Sequence, residues 1–104
     1  MVITRGQNST TEENNIVTEF TKEENDFKMK QCKQYAAKEP LDQYQLNLYV
    51  LDLNSNSTIT ELNKAYRSMA RRFHPDNNYG FDTTEMMTMI NTARYGLLDL
   101  LHYI

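Results

Sequence analysis

The chain is poor in the residues that cross-link small proteins or coordinate metals. Its 104 residues include one cysteine, Cys32, and two histidines that lie far apart in the sequence. A single cysteine excludes an internal disulfide, and this set of side chains is too small for a structural zinc site. We therefore interpret Cys32 as a buried or idle thiol, and we expect neither a metal nor a cofactor.

Long apolar runs and an excess of positive charge are also absent. No run approaches the ~20 apolar residues that a membrane-spanning helix needs, so we expect no membrane span. The N-terminal stretch MVITRGQNSTTEENN has no apolar segment typical of a signal peptide, so we expect an intracellular protein. The net charge of −3 argues against a general nucleic-acid binder, because phosphate binding usually needs a basic surface. It does not exclude a local basic patch.

The polar and apolar residues divide the chain into two parts. Residues 1–40 are polar and charged, whereas residues 41–104 hold most of the leucine, isoleucine and methionine. Glu39-Pro40 marks the boundary, because the residue before a proline is pushed out of the helical region of backbone space. We predict an N-terminal extension over 1–40, with a flexible lead-in near its start, and a domain over 41–104.

One charged helix is predicted within the extension, over residues 22–38. Thr21 and Glu24 fit a capping box, and acidic residues precede the lysines, an order that suits the helix dipole. Two i,i+4 ion pairs are predicted: Glu24–Lys28 and Asp26–Lys30. A thin apolar strip is predicted from Phe20, Phe27, Cys32, Tyr35 and Ala36. Two interpretations remain open, a solvated helix that packs on one side and an arm that docks on a larger partner.

Two stronger amphipathic helices are predicted in the second part, over residues 59–73 and 83–100. The first follows a capping box at Thr58-Ile59-Thr60-Glu61 and ends before Pro75, and the second begins at Asp82-Thr83-Thr84-Glu85. With one apolar face each, they should pair antiparallel as an αα-hairpin. Their stripes recur at three- and four-residue steps and predict a core of Leu62, Ala65, Tyr66, Met69, Ala70, Phe73, Met86, Met89, Ile90, Ala93 and Leu97.

The segment from Asp42 to Leu53 has mixed periodicity, and alternation of its apolar residues would allow a strand. A lone strand has no partner, so we predict a short helix over about 42–52 that covers the hairpin. The Asn54-Ser55-Asn56-Ser57 run is then a loop. The predicted fold class is all-α: a short helix and a helical hairpin, preceded by a charged helical extension.

The tripeptide His74-Pro75-Asp76 lies in the predicted loop, residues 74–82, between the two hairpin helices. Taken alone it indicates helix termination, since proline ends helices and aspartate favours turns. Its neighbours give it more meaning, because the helix before it carries basic residues opposite its apolar stripe. These cations are Lys64, Arg67, Arg71 and Arg72.

This arrangement resembles the J-domain of the DnaJ-type co-chaperone family. There, a helix of the form I-x-x-A-Y-R-x-L-A-x-x-Y-H-P-D is followed by a loop and a helix carrying I-x-x-A-Y-x-x-L. The residues that match the first pattern are Leu62, Ala65, Tyr66, Arg67, Met69, Ala70, Phe73, His74, Pro75 and Asp76. Those that match the second are Ile90, Ala93 and Leu97. The resemblance covers about residues 42–99.

The resemblance implies a regulator and not an enzyme. J-domains bind an ATP-hydrolysing heat-shock chaperone of the seventy-kilodalton class and stimulate its hydrolysis, which biases the conformational equilibrium of the partner. Asp76 would pair with a cation of that chaperone, Pro75 would fix the turn, and His74 would brace the loop. The cations that would meet its acidic surface are, by position, Lys64, Arg67, Arg71 and Arg72.

Three features depart from the family pattern. Arg94 replaces a tyrosine of the last helix, and we expect its head to reach solvent or an acid, because burying arginine is costly. The family's Tyr-x-x-Leu-Gly-Leu motif aligns in two registers that place either Asp52 or Asn47 at the glycine. Both residue types tolerate the left-handed conformation, and we prefer Asp52 because it keeps the loop at family length. No fourth helix, Gly/Phe-rich linker or zinc-binding region follows, which predicts either a minimal type or a fragment of a longer protein.

Other functions compete with the co-chaperone interpretation. The main alternative is a J-like structural or scaffold subunit of a larger assembly, without chaperone-stimulating activity, which would meet its partners through the N-terminal extension. A helix-turn-helix nucleic-acid binder conflicts with the acidic balance of the chain. A metal or hydrolase site at His74 and Asp76 lacks a third ligand or a base partner.

Overall fold

The protein folds into a small helical domain in which every predicted helix is present. The computed structural model describes residues 20–102, so the predicted flexible lead-in lies outside the described residues. Within this range the chain is all-α and contains no strand, which confirms the predicted fold class. The elements are α1 (Lys22–Ala36), α2 (Gln43–Leu51), α3 (Ile59–Arg72), a 3-10 turn (Pro75–Asn77) and α4 (Thr84–His102). None of these helices combines the length and apolar character that a membrane crossing requires.

Side-chain caps determine where the helices begin. The Thr21 hydroxyl accepts a hydrogen bond from the Glu24 N–H at 3.0 Å, and the Glu24 carboxylate accepts one from the Thr21 N–H at 2.8 Å. The start of α3 repeats this reciprocal pair, so both predicted capping boxes are confirmed. At α4, the Asp82 carboxylate accepts a hydrogen bond from the Thr84 N–H at 2.9 Å. These caps satisfy backbone donors that have no partner within the first helical turn.

The end of α2 decides between the two registers. Asp52 adopts the left-handed conformation, with φ 56° and ψ 42°, and the N–H of Leu53 returns to the carbonyl of Leu48 at 2.9 Å. This is the turn that glycine usually provides at a helix C-terminus. Asn47 instead lies inside α2 and is buried. The structure therefore supports the register with Asp52 at the glycine position.

The core lies mainly between α2, α3 and α4, and α1 contributes Met29 and Cys32 to it. The predicted residues that are buried are Leu62, Met69, Phe73, Met86, Ile90, Ala93 and Leu97. Ala65, Tyr66 and Met89 are partly buried against this core, and Ala70 is half-buried beside it. α2 adds Leu46, Leu48, Val50 and Leu51 from the face that covers the hairpin.

α1 packs on this domain through a face that differs from the predicted strip. Phe27 is 64% exposed and Phe20 is 42% exposed, so the prediction is wrong for both phenylalanines. The buried residues of α1 are Asn25, Lys28, Met29 and Cys32. Two of the four are polar, and the domain beneath supplies polar partners for them. A rule that searches for apolar periodicity does not detect such a face.

Cys32 confirms the expectation of a buried thiol. It is fully buried in the core cluster, and burial raises the pKa of its thiol. The neighbouring Tyr35 ring stacks on Tyr49 of α2, with centroids 4.8 Å apart. These contacts make the C-terminal half of α1 part of the packed domain, which favours the interpretation of α1 as a helix that packs on one side.

One of the two predicted ion pairs of α1 forms. Lys30 Nζ lies 3.0 Å from the Asp26 carboxylate, as predicted. The Glu24–Lys28 pair is not observed, because Glu24 is engaged in the helix cap while Lys28 Nζ contacts the Asp52 carboxylate at 2.8 Å. Lys28 Nζ also donates to the Tyr49 carbonyl at 3.2 Å, so a lysine of α1 helps to close the C-terminus of α2.

Candidate docking site

The polar side of α3 presents three exposed cations. Lys64, Arg67 and Arg71 lie three and four residues apart, so they share one face of the helix. We call these three residues the basic face. Within residues 20–102 no carboxylate lies within ion-pair distance of any of them. Their positive charge is therefore directed to solvent and is free to act on an approaching partner.

Arg72 was predicted with these cations, but the structure places its side chain elsewhere. Its Nε donates to Asn25 Oδ1 at 2.7 Å and its Nη2 to the Glu24 carbonyl at 3.4 Å. The guanidinium carbon lies 3.7 Å from the centroid of the Phe20 ring and 5.2 Å from that of Phe73. Burial lowers the pKa of Arg72. Arg72 thus joins α3 to α1, and its predicted contact with a partner stays a prediction.

The His-Pro-Asp loop is a short, ordered turn. Pro75 opens a 3-10 turn and His74 caps it, since His74 Nδ1 accepts a hydrogen bond from the Asp76 N–H at 3.0 Å. The Asn77 N–H donates to the His74 carbonyl at 2.9 Å. For His74 this geometry requires an Nδ1 without a proton, so the neutral ring carries its hydrogen on Nε2. Pro75 contributes a fixed φ and has no donor to satisfy at this position.

The Asp76 carboxylate projects into solvent. Its side chain is 83% exposed and that of His74 is 53% exposed. Among the described residues, the only basic side-chain atom within ion-pair distance of it is His74 Nδ1 at 3.8 Å, which accepts the backbone bond and therefore offers the carboxylate no proton. No group of three histidine, cysteine, aspartate or glutamate residues in the described chain is arranged to hold a metal ion. The 3-10 turn therefore presents the Asp76 carboxylate to solvent without a paired cation among the described residues.

Asn78 holds this loop to α3 and was missed by the sequence reasoning. It is buried, and its Nδ2 donates to the His74 carbonyl at 2.7 Å and to the Arg72 carbonyl at 3.1 Å. Asn77 Nδ2 donates to the Arg71 carbonyl at 2.8 Å. The last carbonyls of a helix have no partner within the helix, so these amides supply them. Asparagine in a polar loop has no periodic pattern that would have identified this role.

Arg94 adapts to the position of the family tyrosine by stacking. Its guanidinium carbon lies 4.8 Å from the ring centroid of Tyr66, whose hydroxyl is hydrogen-bonded to Asn91 Oδ1 at 3.1 Å. The buried Nε of Arg94 has no hydrogen-bond partner among residues 20–102. Of the two outcomes expected for its head, solvent or an acid, no acid lies within ion-pair distance among those residues. A cation–π contact over the tyrosine ring offsets part of the cost of that burial.

Comparison with known proteins decides the family. The family model for the DnaJ domain matches residues 47–100, just over half of the chain. The chain belongs to the DnaJ domain family. This match confirms the resemblance found in the sequence, and α2, α3 and α4 are the helices of the J-domain. Proteins of this family are co-chaperones and not catalysts themselves, and they act in general with chaperones of the seventy-kilodalton class.

Curated relatives share this region of the chain. The chain is 38% identical over 50 residues to "Chaperone protein DnaJ 1" of Corynebacterium glutamicum. The aligned segment covers 48% of this chain and 13% of that protein. It is 35% identical over 72 residues to "DnaJ homolog subfamily B member 12" of Mus musculus. This alignment covers 69% of this chain and 16% of the relative. The chain thus spans a small part of the length of these relatives. No solved structure matches significantly.

Proposed function

We propose that this J-domain binds a seventy-kilodalton-class heat-shock ATPase and stimulates its ATP hydrolysis. The observation that carries the proposal is the exposed Asp76 carboxylate, held on an ordered turn at the end of a helix with unpaired cations. His74, Pro75, Asp76 and, among the cations, Arg67 match the family's motif. The protein would act by favouring one conformation of its partner, and no residue of the site would react with a substrate.

The basic face would recognise an acidic surface of the chaperone. Lys64, Arg67 and Arg71 carry no internal ion pair among the described residues, so their charge is available to a partner. Charges of this kind orient an encounter and raise the association rate more than they add affinity. We assign the recognition of this acidic surface to these three residues and not to Arg72, because Arg72 is already engaged by Asn25.

The loop would make the contact that changes the chaperone. The Asp76 carboxylate would accept charge-assisted hydrogen bonds from a cation of the partner, and such bonds are stronger than those between neutral groups. His74 would hold the Asp76 backbone through its Nδ1, as it does in the free protein at 3.0 Å. A turn that is already ordered loses little conformational entropy when it binds.

ATP turnover tests this proposal. Steady-state hydrolysis by a seventy-kilodalton-class chaperone is measured with and without the full chain, and then with His74→Gln and Asp76→Asn. We expect stimulation by the wild-type chain and its loss in both variants. Asp99→Asn is the matched control, because it removes an exposed carboxylate near the other end of α4 and should stimulate normally.

Two results would contradict the proposal. If the wild-type chain stimulates no chaperone from any plausible compartment, the co-chaperone function is wrong and the scaffold alternative gains support. If stimulation survives in His74→Gln and Asp76→Asn, the function stands but the assigned role of the loop is wrong.

A further inference from the structure

Asn25 of α1 occupies the position where the N-terminal helix meets the docking site. Its side chain is 3% exposed and uses both ends of its amide. Oδ1 accepts from Arg72 Nε at 2.7 Å, and Nδ2 donates to Asn78 Oδ1 at 2.9 Å. One residue outside the region matched by the family model is therefore bonded to the end of α3 and to the buried asparagine of the loop.

The bond to Asn78 determines how the Asn78 amide is oriented. With its Oδ1 directed at Asn25, Asn78 directs Nδ2 at the carbonyls of His74 and Arg72, 2.7 and 3.1 Å away. If the amide turned over, its oxygen would face those two carbonyl oxygens and its nitrogen would face the Asn25 donor. Asn78 would then lose all three side-chain hydrogen bonds, to Asn25, His74 and Arg72. Unsatisfied polar groups at a buried position are costly. Asn25 thus favours the orientation that holds the His74 carbonyl.

From these contacts we infer that Asn25 is a positioning residue for the His-Pro-Asp loop, and that α1 is part of the docking site. The inference deepens the proposed function and rests on it for its consequence in the chaperone assay. A continuous path of hydrogen bonds leads to the loop: Asn25 is bonded to Asn78, and Asn78 is bonded to the His74 carbonyl. His74 Nδ1 then holds the Asp76 N–H.

The rest of α1 keeps Asn25 in place independently of the loop. Lys28 binds the C-terminus of α2, Cys32 lies in the core, and Lys33 Nζ pairs with the Glu85 carboxylate at 2.9 Å. A change at Asn25 therefore leaves several attachments of the helix intact. This separation makes it possible to alter the loop contact without removing α1.

The sharpest variant is Asn25→Asp. A carboxylate keeps the acceptor for Arg72 Nε but replaces the donor to Asn78 with a second acceptor, so two oxygens would face each other. Gln34→Glu is the matched control, because it adds the same charge at an exposed position of α1. Asn25→Ala is a second variant that removes every side-chain bond of Asn25 to Arg72 and Asn78 without adding charge.

Two measurements are made on the full chain. NMR reports amide hydrogen exchange at Asn77 and Asn78 and the Nδ1 signal of His74, with circular dichroism showing that each variant is folded. We expect exchange roughly three- to tenfold faster in Asn25→Asp and Asn25→Ala, the factor that the loss of one hydrogen bond gives. The Nδ1 signal should shift as the Asp76 bond weakens, and Gln34→Glu should leave both unchanged.

ATPase titrations give the second measurement. We expect maximal stimulation to fall by a similar factor in both Asn25 variants, with a smaller change in the half-saturating concentration, because the basic face is unaltered. A merely structural role would not separate these two quantities.

Three outcomes overturn the inference: exchange and Nδ1 signals that match Gln34→Glu, altered exchange with full stimulation, or stimulation above wild type. The last would mean that α1 restrains the loop. If the wild-type chain itself stimulates no chaperone, the proposed function fails, and the NMR data alone decide whether Asn25 positions the loop.

Discussion

Replacing Lys28 with methionine removes the polar attachment between α1 and α2. The Lys28 side chain is 11% exposed, and its Nζ contacts the Asp52 carboxylate at 2.8 Å and the Tyr49 carbonyl at 3.2 Å. Methionine keeps most of the length and apolar contact of the lysine stem. Lys28→Met therefore removes the ammonium group and its contacts with Asp52 and Tyr49 while leaving the packing of the stem largely in place.

The structure sets the expected size of the effect. A hydrogen bond from a charged donor contributes about 1.5–3 kcal/mol. The Tyr49 carbonyl keeps a second donor, the Asp52 N–H at 3.2 Å, so this carbonyl is not left unsatisfied. The Asp52 side chain is 63% exposed, and an ion pair to such a group contributes only about 0–1 kcal/mol. We expect Lys28→Met to lower the free energy of unfolding by about 1–2 kcal/mol.

Urea and thermal unfolding followed by circular dichroism measure this change. A loss of 1 kcal/mol corresponds to roughly 4–8 °C in Tm for a domain of this size. Lys30→Met is the control, because it removes the same charge from an exposed i,i+4 pair on the same helix. It should alter stability by less than about 0.5 kcal/mol. If Lys28→Met and Lys30→Met are equally stable, the inferred role of Lys28 in closing α2 is refuted.

Three further predictions follow from other contacts. A Cβ added at Gly96 would lie 2.7 Å from Asn47 Nδ2. Asn47 would have to shift, so Gly96→Ala should be less favourable in the wild-type chain than in an Asn47→Ala chain, where helix propensity contributes about 1 kcal/mol of stabilisation. A double-mutant cycle in urea would show no coupling between the two positions if this is wrong. Arg67→Glu should raise the concentration of the J-domain protein that gives half-maximal stimulation of the ATPase, and should make that concentration less dependent on salt, while maximal stimulation is kept. An unchanged salt dependence would contradict the role of the basic face. The hydrogen bond from the Thr84 N–H holds the pKa of Asp82 below its ordinary value. The ionised Asp82 cap therefore stabilises the fold fully above the unfolded-state pKa of about 3.9. This stabilisation is lost as the pH falls through the lower pKa of the folded state. The Tm difference between wild type and Asp82→Ala should shrink over that range, and a constant difference would refute the assignment.

The helices were predictable because their determinants are local. Thr58 and Glu61 are three residues apart and cap each other, and the stripe from Leu62 to Phe73 follows the helical period. These inferences need only neighbours along the chain. The preference for Asp52 over Asn47 needed the family resemblance as well, because both residue types tolerate a left-handed backbone and only the loop length separated them.

The face of α1 and the neighbours of the loop were not predictable in this way. Asn25 and Arg72 are 47 residues apart, and Asn25 and Asn78 are 53 apart. A buried asparagine is favourable only when its partners are present, and no local pattern shows that they will be. Phe27 was expected inside because it is apolar, yet it is 64% exposed.

The sequence by itself determined the helices, their caps and the family, because periodicity and capping act over a few residues and the His74-Pro75-Asp76 motif is contiguous. Only the tertiary structure decided which cations remain free. Arg71 and Arg72 are adjacent in the sequence, but successive helical residues point in different directions. Arg71 therefore faces solvent, whereas Arg72 faces Asn25 of a helix that is distant along the chain and close in space.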